Sequence, residues 1–254
     1  MTDVLVAEWL KLRTARSTQW ILATVAGFVT LCAVWSFYIA RYWDGLSPER
    51  QAKLQAAPAE HPLVLTLPLC MAVLGVLAVT SEYATGMIRS SLAAVPRRGV
   101  LLLSKAAAVG GVASATGLLS VGVAFALGRL IVGDRAIADF RTPVSDELPW
   151  LLSLGLSAVV VALVGLGLGT AVRSTAGAVT GLCVLLFVLP GLAPLLPTPW
   201  DERFAAILPS NLAEQIAGDA ADPVLGPVPA LMILLAYAVI ALIAGLIVLM
   251  RRDS

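Results

Sequence analysis

Six stretches of this chain run for at least 21 residues without an Asp, Glu, Lys or Arg: 17–40, 61–81, 106–128, 148–172, 174–200 and 223–250. A helix needs roughly 20 mostly apolar residues to cross the hydrocarbon core of a bilayer. Each stretch is long enough. Hydrophobic residues at 59% and charged residues at 13% leave too little polar surface to cover a water-soluble fold of this size. The chain therefore reads as an all-α, polytopic membrane protein with one transmembrane domain over residues 1–254. Spans are expected near 17–40, 62–81, 104–130, 148–172, 175–197 and 228–250. Only Arg173 separates the fourth stretch from the fifth, so the chain has to turn at Arg173-Ser174-Thr175. A continuous helix through both would far exceed the membrane thickness.

Six spans place both termini on one side. The segments on that side carry ten Lys and Arg residues and four acidic ones. The opposite side carries seven basic and twelve acidic residues. Basic residues near span ends favour the cytoplasm, so both termini are expected there and the outer face is expected to be acidic. Trp20, Trp35, Tyr38, Tyr42, Trp43, Trp150 and Trp200 lie near span ends, where amphipathic rings settle at the interface.

The segment before the first span, VLVAEWLKLRTARS, sets Val4, Leu5, Trp9 and Leu12 at helical spacing between Glu8, Lys11, Arg13 and Arg16. That pattern predicts an amphipathic helix in the cytoplasmic interface. Residues 81–105 form the longest cytoplasmic connection, punctuated by Pro96 and Gly99, and predict a short helix followed by a turn. On the outer side Ser47-Pro48 starts a short helix. Phe204, Ile207, Leu208, Leu212 and Ile216, interrupted by Pro209-Ser210-Asn211, predict two short amphipathic helices before the last span. Within the spans, Gly165 with Gly169 and Gly177 with Gly181 have the spacing that lets helix backbones approach closely. Pro190, Pro194 and Pro197 are expected to kink or end the fifth span.

By this reading the spans hold no ionisable residue with which to couple an ion. The single histidine, His61, has no partners for acid–base work. No metal-binding or nucleotide-binding motif occurs, so neither a catalytic residue nor a metal ligand is assigned. Any energy the chain uses has to enter through another subunit.

Glu82 opens the segment SEYATGMIRSSLAAVPRR. It resembles the sequence E-Y-x-x-G-T-x-R, followed by a stretch ending in Pro and basic residues, that marks ABC-2 type transporter permeases after their second span. Glu82, Tyr83, Gly86 and Arg89 match, and Met87 stands where Thr is usual. Glu8-x-x-Lys11 with Arg13 resembles the family's N-terminal interfacial helix, and Leu208-Pro209-Ser210-Asn211 resembles a segment before its last span. The resemblance implies that residues 81–105 contain a coupling helix docking on a cytoplasmic ABC ATPase, with Glu82, Tyr83, Thr85, Gly86 and Arg89 at the contact. Glu8, Trp9, Lys11 and Arg13 would belong to the interfacial helix. It further implies two ATPase copies, a second permease (identical or paralogous) and a seam between permeases drawn from residues 67–79 and 179–195. ATP and Mg would sit on the ATPase, with no cofactor in this chain and no nucleic acid partner. The expected activity is export of a hydrophobic or amphipathic drug, antibiotic or peptide across a bacterial plasma membrane. Lipid or polysaccharide export, or a non-transporting sensor or scaffold, are the alternatives.

Overall fold

The computed structural model describes residues 2–218 and 224–251, and among these no strand occurs. Among the described residues six helices are long and apolar enough to cross a membrane. A first helix, α1 (Thr2–Thr14), leads into α2 (Arg16–Asp44). After the short α3 (Pro48–Gln51) come α4 (Leu63–Thr85), α5 (Met87–Ala94), α6 (Arg98–Val132) and α7 (Val144–Val172). The fifth span starts as α8 (Thr175–Cys183), passes through a π-helical turn at Val184–Val188, and ends in α9 (Leu189–Leu192) and a 3-10 turn. Then follow α10 (Trp200–Ile207), α11 (Pro209–Ala217) and α12 (Pro227–Arg251). Pro223, where the last charge-free run begins, and Arg252 and Asp253 beyond its end lie outside the described residues.

Four of the membrane helices, α2, α4, α6 and α7, are longer than their charge-free runs, which corrects the expectation that the membrane helices lack ionisable groups. Helix α4 reaches past Glu82, and α6 holds Lys105 and Arg129. A charged residue ends a charge-free run but not a helix, because Glu, Lys and Arg are good helix formers.

The core is built around α7, which packs on α4, α12 and α6. Glycine sets these distances. A Cβ on Gly75 of α4 would lie 1.9 Å from the Ala162 carbonyl oxygen, and one on Gly165 of α7 would lie 2.2 Å from that of Ala72. Gly167 meets Ala241 of α12 in the same way. Without side chains at these points the backbones touch, as small residues permit within a bilayer. The Gly177-to-Gly181 spacing does not serve this purpose within the chain. Gly181 has nothing near its Cβ position, and the neighbour of Gly177 is Val172 on the adjoining helix end. Most of residues 67–79 is likewise turned into the chain's own core: Leu67, Met71, Leu74, Val76 and Val79 are all buried. That stretch therefore offers little surface for the expected seam.

Helix α2 lies at the edge of the bundle. It buries Thr18, Val25, Cys32 and Ile39 at seven-residue intervals, with Ser36 and Ala40 beside the last of them, and leaves most of its other side chains outward. A seven-residue period keeps one seam facing its neighbours α4 and α6. The turn at Arg173 is where charge placed it. Arg173 takes a left-handed conformation (φ 58°), and the Ser174 hydroxyl accepts a hydrogen bond from the Gly177 N–H at 3.4 Å to start α8. Thr175 donates to Thr80 at 2.8 Å, fastening the fifth span to the second. Pro190 lacks an N–H and crowds the preceding turn, and the π turn just before it widens the helix to fit. At the end of the bundle away from α1, α11 buries Leu212, Ala213 and Gln215 against α7 and α12. Gln215 donates to the Ala206 carbonyl at 2.8 Å and accepts from the Leu225 N–H at 3.0 Å, which holds the two short helices to the entry of the last span.

Candidate functional site

The face of α1 that turns inward carries charge. Glu8 and Leu12 are buried and Lys11 is half-buried, while Leu5, Val6, Trp9 and Leu10 are exposed. This reverses the arrangement of a helix dissolved in water. An outward apolar face and an inward polar one suit a helix between a bilayer and a polar protein surface. Arg13 points outward with the exposed set.

The inward charges meet the ends of two spans. Lys11 Nζ donates to Glu8 Oε1 at 2.7 Å and to Glu82 Oε1 at 2.9 Å. Lys105 Nζ donates to Glu8 Oε2 at 2.7 Å and to Glu82 Oε1 at 2.6 Å. Two carboxylates and two ammoniums thus alternate in a closed ring that draws on α1, α4 and α6. Lys11 adds a bond to the Ser91 hydroxyl of α5 at 3.2 Å. Glu8, Glu82 and Lys105 are 4%, 2% and 3% exposed. An ion carried this far from water costs several kcal/mol, so each requires close opposite partners. Charge balance in the ring supplies them. Burial works against the charge on Lys11, but hydrogen bonds to Glu8 and Glu82 outweigh it and hold its pKa above the ordinary 10.5.

Glu82 therefore does not lie on a displayed coupling surface, and Tyr83 is half-buried. They belong to the last turn of α4, with Glu82 locked in the ring and the Tyr83 ring 5.2 Å from the Arg173 guanidinium. Gly86 then takes a left-handed conformation (φ 72°) and breaks the helix. Helix α5 leaves at a new angle, buries Ile88, and exposes Met87, Arg89 and Ser90. Thr85, Gly86 and Arg89 are the expected contact residues that reach the surface. Lys105 escaped the sequence reading as a site residue because it counted as one more basic group at a span end. Its signal was position: a lone lysine at the start of span three opposite a lone glutamate at the end of span two. Antiparallel neighbours bring such ends together.

Nearby, Arg98 at the start of α6 donates to the Leu249 carbonyl, tying the end of α12 to the same end of the bundle.

A family model for ABC-2 family transporter proteins matches residues 4–190. The chain belongs to this family. No curated protein matches it. The match runs from within α1 to Pro190 in the fifth span, so all four members of the ring fall inside it. The chain is thus a multi-pass membrane component of an ABC transporter, a permease rather than the catalytic subunit, and membership of the family implies association with an ABC ATPase. In this permease α10, α11 and the last span lie beyond the matched residues.

At the opposite end the permease presents an acidic recess of about 490 Å³, lined by His61, Asp146, Glu147, Trp150 and Glu214. Beside it Glu60 is 2% exposed. Burial raises its carboxyl pKa above the usual 4.5. Its own backbone hydrogen bond opposes this, Glu147 adds to it, and Arg129 partly offsets it. Among the described residues no group of three or more His, Cys, Asp or Glu is placed to hold a metal ion.

Proposed function

We propose that the chain is the membrane-spanning half of an ATP-driven exporter of hydrophobic or amphipathic molecules. It works with a second permease, identical or paralogous, and two copies of an ABC ATPase that hold ATP and Mg. The home membrane is a bacterial plasma membrane, with both termini in the cytoplasm. The high Arg-to-Lys ratio and abundance of Ala, Gly, Leu and Val agree with a GC-rich bacterial source. Helix α5 with its exposed Arg89, together with Thr85 and Gly86 at the corner before it, is the segment that docks on the ATPase. The ion ring is the linkage behind it.

The observation that carries this reading is that one buried ring reaches α1, α4, α5 and α6. A push on α5 cannot leave the ring unchanged, because Ser91 of α5 and Glu82 at the end of α4 share the Lys11 ammonium. Rigid elements joined through a few short contacts convey displacement as units. Gly86 supplies the corner between the pushed helix and the span.

The test is to co-express the chain with an ABC ATPase encoded beside it, and to compare Arg89→Glu with the parent. Arg89 is exposed and has no role in the ring. We expect the variant to fold as stably as the parent yet lose at least most of the co-purifying ATPase. Full assembly with Arg89→Glu would remove α5 as the docking segment. Failure of any ATPase to co-purify with the parent would favour a sensor or scaffold.

A further inference from the structure

The two ammoniums of the ring are saturated. Lys11 directs its three N–H donors to Glu8, Glu82 and Ser91. Lys105 directs its three to Glu8, Glu82 and the Ala78 carbonyl. On the acceptor side Glu8 uses both oxygens, and Glu82 Oε1 takes two bonds. Glu82 Oε2 is buried and meets no donor among the described residues. The ring has donors for every position but this one, so the missing partner must bring its own.

That partner has a place to sit. Glu82 lines a cavity of about 90 Å³ between the α1–α2 corner, α4 and α6. Ser17, Thr18 and Ser81 line it together with the ring members, and Ile21, Leu74, Leu77 and Val109 are among its apolar lining. A water molecule could share the polar lining, but it would leave Ile21, Leu74, Leu77 and Val109 without contact, whereas the chain of an amphiphile covers them. A third cation would gain little, because the ring is already balanced and both ammoniums stand beside Glu82. A neutral donor bears no such repulsion and leaves little ionic hydration behind.

We propose that this cavity binds the head of a neutral amphiphile, which donates a hydroxyl or amide hydrogen to Glu82 Oε2 and lays its chain along Ile21, Leu74, Leu77 and Val109. The site rests on the permease reading for its meaning, as a place where a molecule from the inner leaflet contacts the coupling ring, but its occupancy can be measured without it.

The experiment uses the detergent-solubilised permease–ATPase complex and tritiated decanamide, with competitors of equal chain length. 1-Decanol is expected to displace the probe at a concentration at least tenfold below that of decyl methyl ether, which has no donor. Decylammonium is expected to do no better than the alcohol. Ala78→Met, which fills the cavity and keeps every ring member, is expected to weaken decanamide binding at least tenfold with an unchanged melting temperature. If Ala78→Met does not fold, Thr18→Met fills the cavity from the opposite wall. Equal potency of ether and alcohol, tighter binding of the ammonium, or full binding by a folded filled variant would each overturn the site. Loss of binding with α5 docking intact refutes the site alone, whereas binding to a chain that recruits no ATPase refutes the permease reading alone. In reconstituted vesicles, ATP-dependent release of the probe upholds the site as one for transported cargo. Retention through ATP turnover upholds it as one for a resident lipid hydroxyl.

Discussion

Replacing Lys105 by Met tests the ring directly. Methionine keeps an unbranched apolar stem of similar length and removes only the ammonium. Two ion-pair contacts go with it, at 2.7 and 2.6 Å, along with the bond to the Ala78 carbonyl, and Glu8 and Glu82 are left sharing Lys11. A balanced group of four charges becomes a buried net charge of −1. Removing one partner from a buried pair costs about 3–5 kcal/mol. Here the lower end applies, about 3 kcal/mol, because the Lys11 side chain is 34% exposed and can follow either carboxylate while admitting water. At roughly 2–4 °C per kcal/mol for a chain of this size, the midpoint of thermal unfolding in a mild detergent falls by about 6–12 °C. Adding Glu82→Gln to Lys105→Met restores neutrality. The double variant is expected to recover part of the loss, with a coupling of about 1–3 kcal/mol between the two positions. Following unfolding by near-ultraviolet circular dichroism gives all four corners of the cycle. A single variant within 2 °C of the parent, or additive effects in the double, would show that these charges do not act as a ring.

Other expectations follow from the same packing. Gly75→Ala drives a methyl into the Ala162 carbonyl and should cost more than about 3 kcal/mol, seen as lost monodisperse protein on size exclusion, whereas Gly181→Ala should be neutral. Gly86→Ala meets no steric obstacle but holds an unfavourable φ, at about 1–2 kcal/mol; ATPase recruitment should fall more than the melting temperature does. Glu60 has a raised pKa in the folded state, so that state binds its proton more readily than the unfolded chain does. Stability from this group therefore declines as pH rises from 4.5 through the folded pKa. Glu60→Gln should raise the melting temperature at pH 7, and the gain should vanish below pH 4.5; a gain that persists in acid would contradict the burial account.

The spans were legible because membrane insertion leaves a local mark, a run without charge. So were the turn at Arg173 and the helix starts at Pro48 and Pro209, which depend on residues adjacent in sequence. The ring was not. Counting to the nearest charge stops each helix at Glu82 and Lys105, which are its best-buried charged residues. Pairing Glu8 with Lys105 joins residues 97 apart, and nothing local announces it. The pattern of α1 was legible only on its outward side. Leu5 and Trp9 do face outward as an interfacial helix requires, but Leu12 turns inward beside Glu8. A buried partner of opposite charge made an ion the better inward residue. The two similar glycine spacings also parted company, since spacing permits a close approach but a facing backbone has to be there to use it.

Ring closure also bears on how the chain is made. Glu8 and Lys11 leave the ribosome early and can satisfy each other only along one helix. Glu82 arrives at the end of the second span, and Lys105 comes only as the third begins to insert. Until then α1 and the end of α4 together hold two carboxylates against one ammonium at the membrane surface. The third span thus supplies the charge that makes burial of the other three favourable. The first half of the protein settles when Lys105 enters, and a chain halted before that residue keeps its N-terminal helix undocked.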